Sequence, residues 1–107
     1  MKNIIDHLQK GGSGLFEANE MTEPLLLTYN ILRWAVRDQA DTIRFHKSFV
    51  DWYRDDMQIG KYHPTTLIPI IGFSAIIEQI IMRDQVVEKM LKVTSKEPDK
   101  ITYRISY

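Results

Sequence analysis

The chain has 107 residues, 44% of them hydrophobic and 26% charged, which fits one compact domain with a core of modest size. Its 14 Lys and Arg offset 14 Asp and Glu, so no global field steers it toward nucleic acid or an anionic membrane, and any nucleic-acid site must be a local patch. The lack of cysteine excludes disulfides, thiol nucleophiles and Cys-based zinc sites, and fits a reducing, cytoplasmic interior.

The opening Met1 to Leu8 has neither the long apolar core nor the small-residue cleavage site of a secretory signal. Ile4, Ile5 and Leu8 line one face of a short predicted helix, and Gly11-Gly12-Ser13-Gly14 then breaks the pattern as a flexible connector would. Residues 1–20 therefore read as a flexible segment or a short helix plus a Gly/Ser connector, with the first ten residues expected to dock loosely, and 21–107 as a single helical domain with a C-terminal hairpin. The Gly/Ser run is also what a fused linker looks like, with Met21 as an internal start; an ordinary surface loop is the plainer alternative.

From Thr22 the helical signals strengthen. Thr22 suits an N-cap and Pro24 the first turn, and an apolar pattern follows to about Ile59-Gly60. Leu25, Tyr29, Leu32, Val36, Ile43, Val50, Tyr53 and Met57 recur at steps of three and four once Gln39 and His46 are counted. One long helix, or two separated at the polar run Arg37 to Thr42, both fit. Phe45, Phe49 and Trp52 widen the apolar stripe in the second half, which predicts a face that must be buried.

Gly60 to Pro64 reads as a loop, and Pro69 restricts Thr66 to Ile71 to a short or bent helix. Leu67 to Met82 is the richest apolar stretch, but it is short for a membrane span and contains Glu78 and Gln79, so no membrane association is expected. Gly72-Phe73-Ser74 reads as a turn, with helix resuming at Ala75 and running to about Leu91. Ile76, Ile77, Ile80, Ile81, Val87 and Leu91 form its broad apolar face, and Met82, Val86 and Met90 a second one. Val93 to Ser95 and Ile101 to Tyr107 then read as a hairpin, because Ile101, Tyr103, Ile105 and Tyr107 alternate with polar residues beyond a Pro98 turn.

The order helix, loop, short helix, Gly-containing turn, long helix, hairpin over residues 43–107 resembles a winged helix-turn-helix domain. Ile71-Gly72-Phe73-Ser74 at the turn and Lys100 to Ser106, similar to the closing wing strand of ArsR-like regulators, carry the resemblance. It implies a mainly α fold with a small C-terminal β-hairpin and an additional N-terminal helix, and a small non-catalytic regulator that binds duplex DNA as a homodimer. The implied recognition helix begins at Ala75, with Gln79 and Arg83 suited to base or backbone contacts and Lys92, Lys96, Lys100 and Arg104 to phosphate. Glu78 on the same helix would be repelled by phosphate.

The alternative is a protein-interaction module or assembly subunit without nucleic-acid binding, to which zero net charge and the excess of apolar faces point. In the dimeric reading Leu25, Tyr29, Leu32 and Val36 of the additional helix are expected to pair with their symmetry mates or with Ile80, Val87 and Leu91 of the partner, whereas a protein interface would run through Trp52 or Ile76. His46, with Thr42 and Asp38 at helical spacing, permits a hydrogen-bonded relay, but a core or interface role fits it better. Asp51, Asp55 and Asp56 read as a solvated acidic face beside Arg54. His7 and His63 have no neighbours at ligand spacing, so neither a metal, a cofactor nor an enzymatic activity is expected.

Overall fold

A computed structural model describes residues 2–64 and 70–107. Helix α1 (Lys2–Gln9) buries Leu8, which is 1% exposed. The glycine run is a built turn. Gly11 and Gly12 are buried with φ of 61° and 78°, and a Cβ on Gly12 would lie 2.9 Å from the Phe16 ring and 3.0 Å from that of Tyr29. Only glycine satisfies both the left-handed backbone and the close approach.

A single 3₁₀ turn (Ala18–Glu20) leads to helix α2 (Glu23–Arg37). Thr22 is its N-cap, accepting from the Leu25 backbone N–H at 3.4 Å, and Pro24 sits in the first turn. The helix then stops. Gln39 takes φ of 60°, its N–H donates to the Val36 carbonyl at 2.9 Å, and Ala40 donates to that of Ala35 at 2.9 Å, the pattern of a Schellman stop.

The second half of the expected long helix is sheet. Residues 42–62 form strands β1 (Thr42–His46), β2 (Val50–Arg54) and β3 (Met57–Tyr62). Within 42–54 the hydrophobics Ile43, Phe45, Val50 and Trp52 recur every second residue in each segment, and β-branched and aromatic side chains favour a pleated surface over a helix. The three-and-four pattern read across them was a coincidence of spacing. Asp55 and Asp56 make the β2–β3 turn with φ of 52° and 65°, a type I′ geometry that matches strand twist.

Helix α3 (Ile70–Arg83) runs through Gly72, Phe73 and Ser74 without a turn, and the break falls instead at Asp84, which caps helix α4 (Gln85–Met90). The turn expected at Gly72 to Ser74 is therefore absent from the described residues. The short helix expected over Thr66 to Ile71 falls mostly on 65–69, outside the described residues. Strands β4 (Leu91–Glu97) and β5 (Lys100–Ile105) pair as the predicted hairpin, but as part of a five-stranded antiparallel sheet of order β3-β2-β1-β5-β4. This corrects the expectation of a mainly α, winged-helix fold: the protein is α+β, and β5 lies inside the sheet between β1 and β4.

The described helices cover one face of the sheet. Ile43, Phe45, Val50, Trp52, Ile101, Tyr103 and Ile105 point toward them, with Phe45 packed on Phe73 at 5.5 Å and edge-on to Tyr103 at 5.8 Å. Opposite Trp52 stands Gly60, where a Cβ would lie 2.1 Å from the indole. The indole N–H donates to Asp38 Oδ2 at 2.8 Å, which ties β2 to the end of α2.

Two glycine exchanges should act in opposite directions. Gly60→Ala forces the indole out of its seat and should cost about 3 kcal/mol by overpacking, read as a lower urea midpoint and a shift in tryptophan emission. Gln39→Gly removes the left-handed penalty at the helix stop and should raise the unfolding free energy by about 0.5–1 kcal/mol, read as a higher urea midpoint.

Candidate interaction face

The second face of the sheet is built from the polar members of each alternation. Register places Lys61, Asp51, Arg44, Thr102 and Ser95 in one row across the strands, and Gln58, Tyr53, Thr42, Arg104 and Lys92 in the next. His46, Lys100 and Glu97 form a third, partial row. No described helix lies over these rows.

Asp51 organises the centre. Although it belongs to the open face it is only 4% exposed, because His46 Nε2 lies 3.0 Å from Oδ1 and the Tyr53 hydroxyl donates to Oδ2 at 2.6 Å. A carboxylate so covered must be hydrogen-bonded, and these two bonds, from the residue five before and the residue two after, meet that need. The Tyr53 hydroxyl is raised above its ordinary value, first by burial and then by the hydrogen bond to Asp51.

Both aromatic rings of this face are covered by neighbours of their own chain. The Arg44 guanidinium lies over Tyr53 at 4.4 Å from the ring centroid, and the Lys61 ammonium over Phe49 at 4.4 Å. His46 stacks on Phe49 at 4.1 Å with an interplanar angle of 15°, and His63 approaches the same ring at 5.3 Å. The Nε atom of Arg44 is buried and has no hydrogen-bond partner among the described residues.

The predicted nucleic-acid residues divide between the two layers. Lys92, Lys100 and Arg104 share the open face, with Lys92 paired across the strands to Arg104 and Lys100 to Glu97, whose carboxylate is 3.4 Å from its ammonium. Lys96 instead lies across from Ile101 and pairs with Glu78 of α3 at 3.7 Å. Gln79 is half-buried on α3, and Arg83 donates to Glu20 at 2.7 Å beside Phe16. The predicted interface residues fare differently. Leu25, Tyr29, Leu32, Val36 and Trp52 are core side chains between 0 and 4% exposed, and Ile76 is half-buried against that core.

Arg44, Asp51, Tyr53 and Lys61 were not singled out as one site by sequence reasoning. The available signal was the alternation in Thr42-Ile43-Arg44-Phe45-His46 and Val50 to Arg54 around a short polar loop, which places their polar members on one face of a hairpin. His46 and Asp51 then face each other across the loop. The helical relay to Asp38 does not exist; Asp38 bonds Trp52, and Arg54 donates to the Asp38 carbonyl at 3.3 Å.

Burial lifts Tyr29, Tyr53, Tyr103 and Tyr107 above their ordinary value, Tyr107 to about 12, with the Asp84 carboxylate adding to the effect at Tyr29 and Asp51 at Tyr53. A group whose folded value is raised stabilises fully below its unfolded value, near 10 for tyrosine, and loses that contribution as pH climbs through the folded one. Urea midpoints should therefore fall between about pH 10 and pH 12, and Tyr29→Phe or Tyr53→Phe should flatten the fall while lowering the unfolding free energy at neutral pH by about 1 kcal/mol. No family model, curated protein or solved structure matches the chain.

Proposed function

We propose that the chain is a non-catalytic protein-interaction module that works through the open face of its sheet. The observation that carries this reading is that both rings on the face, Tyr53 and Phe49, are capped by Arg44, Lys61 and His46 of the same chain. A sheet that binds single-stranded nucleic acid offers free aromatic faces on which bases stack. Here those faces are occupied, while the cations, hydroxyls and imidazole around them suit the side chains of a protein.

Duplex DNA fits poorly for a geometric reason. Five strands at about 4.8 Å spacing make a platform about 20 Å across, wider than the major groove of about 12 Å. The helix that sequence reasoning assigned to the groove packs its Phe73, Ile77 and Ile80 into the core and engages Arg83 with Glu20. His46 also has a structural task, holding Asp51 with Nε2 and Phe49 with its ring.

A photo-reactive benzoylphenylalanine at Lys92 or Arg104 should give discrete protein adducts in cells, and the same group at Glu88 on the helical layer should not. The purified chain should show no retention of a duplex or of oligothymidylate at low salt. Binding of either with affinity that drops steeply as salt rises would overturn the reading in favour of phosphate recognition.

A further inference from the structure

We infer that the open face receives an extended acidic segment of a different protein, one carboxylate of which pairs with the Arg44 guanidinium; this rests on the interaction reading above. Arg44 stands near the middle of the face, on the central strand β1, between Asp51 of β2 and Thr102 of β5. Its Nε is buried and without a partner among the described residues, so the guanidinium is left short of acceptors within its own chain. The guanidinium is already positioned, since its Cζ lies 4.4 Å from the centroid of a Tyr53 ring anchored by Asp51. Carboxylate is its natural mate, because the two groups match as a pair of parallel hydrogen bonds.

The surrounding charge favours the same occupant. Arg44, Lys61, Lys92 and Arg104 make no ion pair with a described carboxylate, and the acids of the face are engaged, Asp51 by His46 and Tyr53 and Glu97 by Lys100. Asp41, which lies beside Arg104, gives its oxygens to the Asp55 backbone and the Thr42 hydroxyl. Spacing is also suitable. Arg44 and Arg104 are diagonal neighbours on adjacent strands, about 7–8 Å apart at the backbone. Alternate residues of an extended chain are about 6.8 Å apart, so acids at every second position reach both arginines.

A second copy of this chain is the wrong partner for this face, because an isologous contact would set its cations against themselves. Nucleic acid is disfavoured by the capped rings. The occupant that fits this face is therefore an acidic peptide segment.

The test is a titration of the ¹⁵N-labelled full chain with a peptide alternating Glu and Thr, beside one alternating Gln and Thr and an oligothymidylate of similar length. The acidic peptide alone should shift the amides of Arg44, His46, Tyr53, Thr102 and Arg104. Arg44→Gln, and separately the exposed Arg104→Gln, should each weaken it about tenfold, Arg104→Gln with an unchanged melting temperature, and Arg44→Lys should restore little of the loss. Equal binding of the Gln peptide, preference for the oligonucleotide, shifts spread over the helical layer, or no binding at millimolar peptide would each overturn the inference. If the acidic peptide fails while adducts still form at Lys92 and Arg104, the interaction reading survives and only the acidic partner falls; loss of both removes the two together.

Discussion

The structure of the helical layer depends on a buried carboxylate. Asp84 is 1% exposed, and its oxygens accept from His7 Nε2 at 2.7 Å, from the Tyr29 hydroxyl at 2.7 Å and from the backbone N–H groups of Val86 and Val87 at 3.1 and 3.3 Å. An unpaired carboxylate so deep would cost several kcal/mol, which makes the position of every donor consequential. One donor comes from α1, one from α2 and two from the start of α4, and the residue itself ends α3. A single side chain thus sets where the long apolar helix stops, how α4 starts and why the N-terminal helix is held against the body.

With α1 fixed in this way the helices bury their apolar stripes against one another and against one face of the sheet. Leu25, Leu32, Val36, Phe73, Ile77, Ile80 and Val87 all end in the same core as Ile43, Phe45, Tyr103 and Ile105. Tyr107 adds a small staple, its hydroxyl donating to the Ala40 carbonyl at the end of α2, while Ile105 N–H donates to Asp41. Because the helices are satisfied internally, the other side of the sheet is left polar, and its alternating residues have settled into a network around Asp51. The order that makes that face a candidate site is a consequence of how completely the first face is filled.

The elements that sequence reasoning placed well are those with local chemical punctuation. Thr22 and Pro24 mark the start of α2, and the Pro98 turn marks the β4–β5 hairpin, because capping and turn geometry are decided within a few residues. It failed where two periods coexist. Residues 42–57 satisfy both a helical and a strand spacing over short windows, and the choice between them came from partners: β1 finds Tyr103 and Ile101 of β5 as well as Val50 and Trp52 of β2. Gly72 to Ser74 looked like a turn for a similar reason, yet the helix continues through them and stops at Asp84, whose long-range donors, His7 and Tyr29, no local pattern reveals. The expectation of a mainly α fold relied in part on that turn, and the five-stranded sheet takes its place.

The start of α2 and the final hairpin are legible from the residues alone, because capping and turn geometry depend on neighbours along the chain. Tertiary structure decided that the final strand of the hairpin lies inside a five-stranded sheet, that Leu25, Tyr29, Leu32 and Val36 face inward, and that Arg44, Asp51, Tyr53 and Arg104 meet on one open face. The reason is physical: strand pairing brings together residues about sixty positions apart by hydrogen bonds between backbones, which carry no side-chain signature, and the order β3-β2-β1-β5-β4 alone decides which charges become neighbours.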